Sequence, residues 1–119
     1  MTKCSCQGNF LEKFVQPFIL MQLYKNKQHG FSIYMKLLES DIMDYSGIDP
    51  GGVYRTLNKM EAAGLLLSDW HTSNESAQPR RVYEITEEGK QCLLFWGKTL
   101  DKYKDEVSKF SQAILDCLD

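Results

Sequence analysis

No proline interrupts the chain between Thr86 and the C-terminus, and over that stretch Leu93, Trp96, Leu100, Tyr103, Val107, Phe110, Ile114 and Cys117 recur at alternating spacings of three and four. This is the a/d pattern of a helical seam sustained over more than three heptads. Thr86 is a good N-cap, and Glu87 and Glu88 in the first turn favour the positive end of the helix dipole. At 1.5 Å per residue such a helix is roughly 45 Å long, enough to project well past a small domain. An apolar seam of that length needs a covering helix. A second copy of the chain is the simplest source, which predicts a homodimer through Leu93, Trp96, Leu100, Tyr103, Val107, Phe110 and Ile114. The alternative is packing against the chain's own N-terminal helices, and Gly97 permits either by allowing close approach or a bend.

The remaining residues must build one core. With 119 residues, 43% hydrophobic and 25% charged, the chain has the composition of a single soluble domain with at most an appended element. No apolar run reaches the length of a membrane span, and the N-terminus lacks a signal-peptide pattern, so a cytoplasmic protein with no membrane partner is expected. The net charge of −2 gives no global basic excess. Any affinity for nucleic acid must therefore come from local geometry. Cys4, Cys6, Cys92 and Cys117 do not form paired CxxC motifs, and neither histidine has metal-ligand spacing. No metal site and no cofactor are expected; the C-x-C of Cys4 and Cys6 reads as reduced thiols, the alternative being a soft-metal or oxidation-sensing pair, for which two thiolates are an incomplete site.

The stretch "DPGGVYRTLNKMEAAGLL" (49–66) begins a helix with Asp49 as N-cap and Pro50 at the first helical position. Val53, Leu57 and Met60 form its inward stripe, and Gly64 stops it. Arg55, Asn58, Lys59 and Ala62 then face outward, with Tyr54 and Thr56 on the flanks. That face carries donors and no carboxylate. Gly51 and Gly52 are poor helix formers. They either let a phosphate approach the helix N-terminus or relieve crowding in a tight turn, and this stretch does not decide between the two.

Upstream, Pro17 divides an apolar segment into a short leading helix from Phe10 to about Val15 and a buried second helix starting near Pro17. "NKQHG" (26–30) reads as a turn in which His29 could titrate, followed by a helix over 31–39 with Ile33, Tyr34, Leu37 and Leu38 inward. Downstream, "LLLSDWH" and "RVYEIT" read as two strands joined by the polar loop "TSNESAQPR". The expected fold is mainly α with a small β-hairpin: a winged helix-turn-helix plus a long C-terminal helix. The corresponding divisions are an N-terminal extension (1–16), the winged domain (17–86) and a dimerisation helix (87–119).

In "HGFSIYMKL", "DPGGVYRTLNKMEAAGLL" and "PRRVYEITEEGKQCL", taken in order with their gaps, the chain resembles the PadR family of transcriptional regulators from about Val15 to Gly89. The resemblance implies DNA binding, with Gly51, Gly52, Tyr54 and Arg55 where the recognition helix meets DNA and Arg80 and Arg81 at the basic base of the wing. It departs from the family pattern at Asp49, where a serine cap is common. The single C-terminal helix is similar to that of the smaller subfamily, whose members often bind flat hydrophobic compounds at the dimer interface.

On this reading Arg55 and Asn58 face base edges in a major groove, while Tyr54, Lys59 and the Gly51 and Gly52 amides sit on phosphates. The expectation is a homodimeric repressor of an inverted-repeat operator on double-stranded DNA, released by a small aromatic or hydrophobic effector. Phe14, Phe18, Trp96, Leu100 and Tyr103 are the candidate effector pocket, although an aromatic stripe at helical spacing is often only core. The rival is a dimeric winged-helix module that binds protein and has little DNA affinity. An enzyme is not expected, because no cysteine comes with the histidine and acid a nucleophile needs.

Overall fold

The computed structural model describes residues 5–7, 13–72 and 78–119. Cys4, Phe10, Leu11 and the tip of the polar loop (73–77) lie outside the described residues. After a 3-10 turn at Ser5–Gln7 come α1 (Val15–Lys25), β1 (Gln28–His29), α2 (Gly30–Glu39), α3 (Pro50–Ala62), β2 (Leu66–His71), β3 (Arg80–Ile85) and α4 (Glu87–Cys117). This is a winged helix-turn-helix with a long C-terminal helix, mainly α with one small sheet.

Pro17 does not separate two helices among the described residues. It occupies the first turn of α1, where its missing N–H has no intrahelical partner to lose, so the helix begins at Val15 and runs through it. The segment 26–30 is not only a turn. Gln28 and His29 pair with Tyr83 and Val82 as a short antiparallel strand, so the wing is a three-stranded sheet of order β1-β3-β2. In α2, Ile33 and Leu37 are buried and Tyr34 half-buried, whereas Leu38 is exposed because it lies on the far side of the Ile33–Leu37 stripe.

The core joins one face from each element: Val15, Phe18, Ile19, Leu20 and Leu23 of α1, Ile33 and Leu37 of α2, Val53, Leu57 and Met60 of α3, with Leu66 and Tyr83 of the sheet. Local chemistry fixes the joints. Asp49 Oδ1 accepts the Gly52 amide at 2.7 Å to start α3. Gly64, at φ +82°, ends it while the Leu65 amide returns to the Met60 carbonyl at 3.0 Å. Thr86 then ties α4 to this stop: its hydroxyl donates to the Gly64 carbonyl (2.7 Å) and accepts the Gly89 amide (3.0 Å).

α4 divides into two parts. Gly89 is buried, and Cys92, Leu93 and Trp96 pack against the core of their own domain. Beyond Gly97 every residue is exposed, including Leu100, Tyr103, Val107, Phe110 and Ile114. Leu93 and Trp96, expected as part of the helical seam, therefore pack on the winged domain, because α4 leaves the domain only after its first turns.

Candidate nucleic-acid interface

The outward face of α3 carries Tyr54, Arg55, Asn58 and Lys59, all exposed. The Arg55 guanidinium folds back toward the start of its own helix, where its Nη2 lies 3.9 Å from Asp49 Oδ1. Both side chains are 71% exposed, so this pair holds the arginine only loosely. The two glycines make room for it. A β-carbon at Gly51 would sit 3.2 Å from Arg55 Nη1, and one at Gly52 would sit 3.0 Å from Asp49 Oδ1 and 3.2 Å from Ile48 Cγ1. The Gly52 amide is engaged by the cap, so crowding by Asp49 and Ile48 accounts for Gly52. Thr56 is half-buried and donates to the Gly52 carbonyl at 2.9 Å, which turns it away from the outer face.

Tyr54 is placed by α2. A β-carbon at Gly30 would collide with Tyr54 Cε1 and lie 3.1 Å from Cζ, so the phenol ring rests directly on the Gly30 backbone. The preceding residue, His29, stands at the N-cap position of α2 and against the wing: the Ser32 amide is 3.3 Å from His29 Nδ1, and Arg80 Nη1 is 3.0 Å from His29 Nε2. Burial, with Arg80 and Lys36 nearby, holds the imidazole pKa below its ordinary 6.5. Contacts thus run from α3 through the start of α2 to the first residue of β3.

The wing arginines differ in kind. Arg80 is exposed. Arg81 is half-buried: its Nη2 donates to Glu61 Oε1 at 2.9 Å and its Nε to Ser68 Oγ at 2.8 Å, Ser68 donates to Glu61 Oε2 at 2.7 Å, and the guanidinium lies 5.9 Å from the Trp70 ring centroid and 5.7 Å from that of Tyr83. That closed network fastens the wing to α3. Both arginines open the returning strand opposite His71 and Trp70, at the loop end of the ladder rather than at its base, which is the Leu66–Ile85 pair.

Of the expected effector residues, Phe14 and Trp96 meet with ring centroids 5.9 Å apart, and Trp96 Nε1 donates to Gln16 Oε1 at 3.0 Å. Phe18 belongs to the core instead, 5% exposed and packed on Tyr45 at 5.6 Å. Leu100 and Tyr103 continue the exposed line of α4. Leu94 and Phe95, both more than half exposed, were not marked by the three-four spacing because they lie off that seam. An open cavity of about 630 Å³ lies beside α3, lined among others by Tyr45, Ile48, Asp49, Arg55 and Lys59. Among the described residues, no helix is long and apolar enough to cross a membrane, and no group of three or more His, Cys, Asp or Glu could hold a metal ion.

Residues 19–94 match the Transcriptional regulator PadR-like family. The transcriptional regulator Rv3488 of Mycobacterium tuberculosis is 31% identical over 98 residues, which cover 82% of this chain and 86% of that protein. A PadR family transcriptional regulator from Eggerthella lenta has 25% identity and a TM-score of 0.72 over 89% of each chain. One from Clostridium difficile has 24% identity and a TM-score of 0.71 over 82% of this chain and 97% of its own. The family match, the Rv3488 relationship and the winged architecture agree: the chain belongs to the PadR-like family of transcriptional regulators, DNA-binding proteins and not enzymes.

Proposed function

We propose that the protein is a repressor that binds an inverted-repeat operator as a homodimer. The observation that carries this reading is the outer face of α3, where Tyr54, Arg55, Asn58 and Lys59 stand exposed on a helix with its inner stripe fully committed to the core. Arg55 and Asn58 have the donors to read base edges, and Tyr54 and Lys59 reach phosphates. Gly51 lets the backbone come close to the duplex, and Gly52 keeps the cap intact beside it. Arg80 adds a phosphate contact from the wing. Arg81, committed to Glu61 and Ser68, supports the wing from behind.

Dimerisation is supported by the uncovered line Leu100, Tyr103, Val107, Phe110 and Ile114, with Leu93 and Trp96 at its domain end. Large apolar residues exposed along one helix face mark an interaction surface. A two-fold pairing of α4 presents two α3 helices to half-sites about one helical turn apart. Where Phe14 and Trp96 meet, near Leu100 and Tyr103, a planar hydrophobic effector would enter and alter the spacing of the two winged domains.

The test is fluorescence-anisotropy binding to the DNA upstream of the protein's own gene, against scrambled competitor, across a salt series. Selective binding that weakens linearly in log salt is expected, the slope giving the number of phosphates contacted. Equal affinity for both DNAs, with and without planar hydrophobic compounds, would overturn the operator reading in favour of a protein-binding winged module.

A further inference from the structure

His29 stands between two hydrogen-bond donors. Its Nδ1 faces the Ser32 amide at 3.3 Å, and its Nε2 faces the Arg80 guanidinium at 3.0 Å. Neither an amide N–H nor a guanidinium can accept, and a neutral imidazole has one bare nitrogen. It can therefore accept from one of these donors at a time, and an imidazolium can accept from neither. The cap of α2 and the hold on Arg80 are alternatives.

We propose that His29 is a positioning residue for DNA binding that exchanges one bond for the other. In the free protein Arg80 keeps the ring proton on Nδ1. When Arg80 moves to a DNA phosphate, the proton returns to Nε2 by exchange with solvent, and Nδ1 caps α2. No net proton is taken up. The guanidinium bond prevails in the free protein because it is charge-assisted and the shorter of the two. The charges acting on the ring are Arg80 of β3 and Lys36 of α2, both positive, while α3 contributes the Tyr54 ring over the adjacent Gly30. Two cations favour the neutral ring, so near neutral pH the choice lies between tautomers.

The location gives the exchange a consequence. Gln28, the residue before it, is 8% exposed and fixed: its Nε2 donates to the Gln22 carbonyl at 3.0 Å, and its Oε1 accepts from Lys36 Nζ at 2.7 Å and Ser32 Oγ at 3.2 Å. The adjustable point is His29, and the turn it caps begins with Gly30, on which Tyr54 rests. Phosphate capture by the wing thereby firms the support under a recognition-helix side chain. This inference rests on the reading of Arg80 as a phosphate contact.

The experiment is ¹⁵N-edited imidazole NMR on the full chain at neutral pH, in a His71→Gln background that leaves one histidine, with amide exchange at Ser32 as a second readout. The free protein is expected to show bare Nε2 and a weakly protected Ser32 amide. Arg80→Ala is expected to reverse the tautomer and raise Ser32 protection, and upstream DNA bound to the Arg80 protein is expected to reproduce both changes. The same tautomer with and without Arg80 in the free protein overturns the proposal without reference to DNA. Reversal by Arg80→Ala but not by bound DNA overturns the exchange. Failure of the DNA to bind at all in the anisotropy assay instead removes the proposed function, and the Arg80-dependent tautomer of the free protein separates that outcome from the other two.

Discussion

Arg55 is presented by a helix whose cap partly restrains it. The Asp49 carboxylate does two things at once: it holds the Gly52 amide at 2.7 Å and attracts Arg55 from 3.9 Å. Asparagine caps a helix about as well as aspartate but carries no charge. Asp49→Asn should leave the thermal midpoint nearly unchanged. It should raise affinity for operator and scrambled DNA alike by roughly 0.5–1 kcal/mol, about two- to fivefold, through lost repulsion of phosphate. Anisotropy on the two DNAs measures this, and a gain confined to the operator would contradict it. Arg55→Ala should cost roughly 1–3 kcal/mol and relax discrimination at one base pair, whereas Lys59→Ala should weaken all sequences and flatten the salt slope by about one. Equal discrimination by the Arg55→Ala variant would remove its base-reading role. The exposed donors of α3 were legible because helical periodicity alone assigns an outer face. The role of Gly52 was not, because the crowding arises from where Asp49 and Ile48 lie around it. Arg81 was not legible either. Its partners Glu61 and Ser68 come from two other elements, so strand alternation puts Arg81 on the face of Tyr83 and Ile85 without showing what meets it there.

At the scale of elements, local signals carried furthest. Asp49, Pro50 and Gly64 delimit α3 and Thr86 starts α4, since caps and stops act within a few residues and need no tertiary partner. β1 escaped because two residues are too few for an alternating pattern, and its pairing with Tyr83 and Val82 is long-range. The three-four spacing marked the apolar line of α4 but not where that line leaves the core of its own domain. That boundary depends on Gly89, where a β-carbon would strike the Leu65 carbonyl oxygen and lie 2.7 Å from Ile85 Cγ1. Because backbone cannot give way as a side-chain tip does, Gly89→Val should lift the start of α4 from the domain and cost roughly 1–3 kcal/mol, read as a lower midpoint of urea unfolding. Val107→Glu with Phe110→Glu should leave the winged domain folded and shift sedimentation equilibrium toward monomer, because both side chains are exposed on the part of α4 beyond Gly97. An unchanged mass would overturn pairing through this line of α4.

At the scale of the molecule, the extents of 65 × 34 × 24 Å reflect a compact winged domain with α4 projecting from it. Such a shape couples distant events only through joints, and the joint at His29 makes stability depend on pH in a defined window. The folded imidazole binds a proton more weakly than its ordinary 6.5, owing to burial, Arg80 and Lys36. As pH falls below about 6.5, the unfolded chain takes up a proton that the folded chain resists, so stability rises with pH across this range. The contribution is complete above about 6.5 and is lost progressively below it. Asp44, lowered by the Ser46 hydrogen bonds, acts in a separate and more acidic window: its contribution is present above its ordinary 3.8 and lost as pH falls through the lower folded value. Urea midpoints at pH 7.5 and 5.5, at fixed protein concentration, therefore isolate the histidine. The wild-type midpoint should fall at the lower pH, and His29→Asn, which caps α2 without titrating, should narrow that fall. An undiminished fall in the variant would assign the acid sensitivity to other groups.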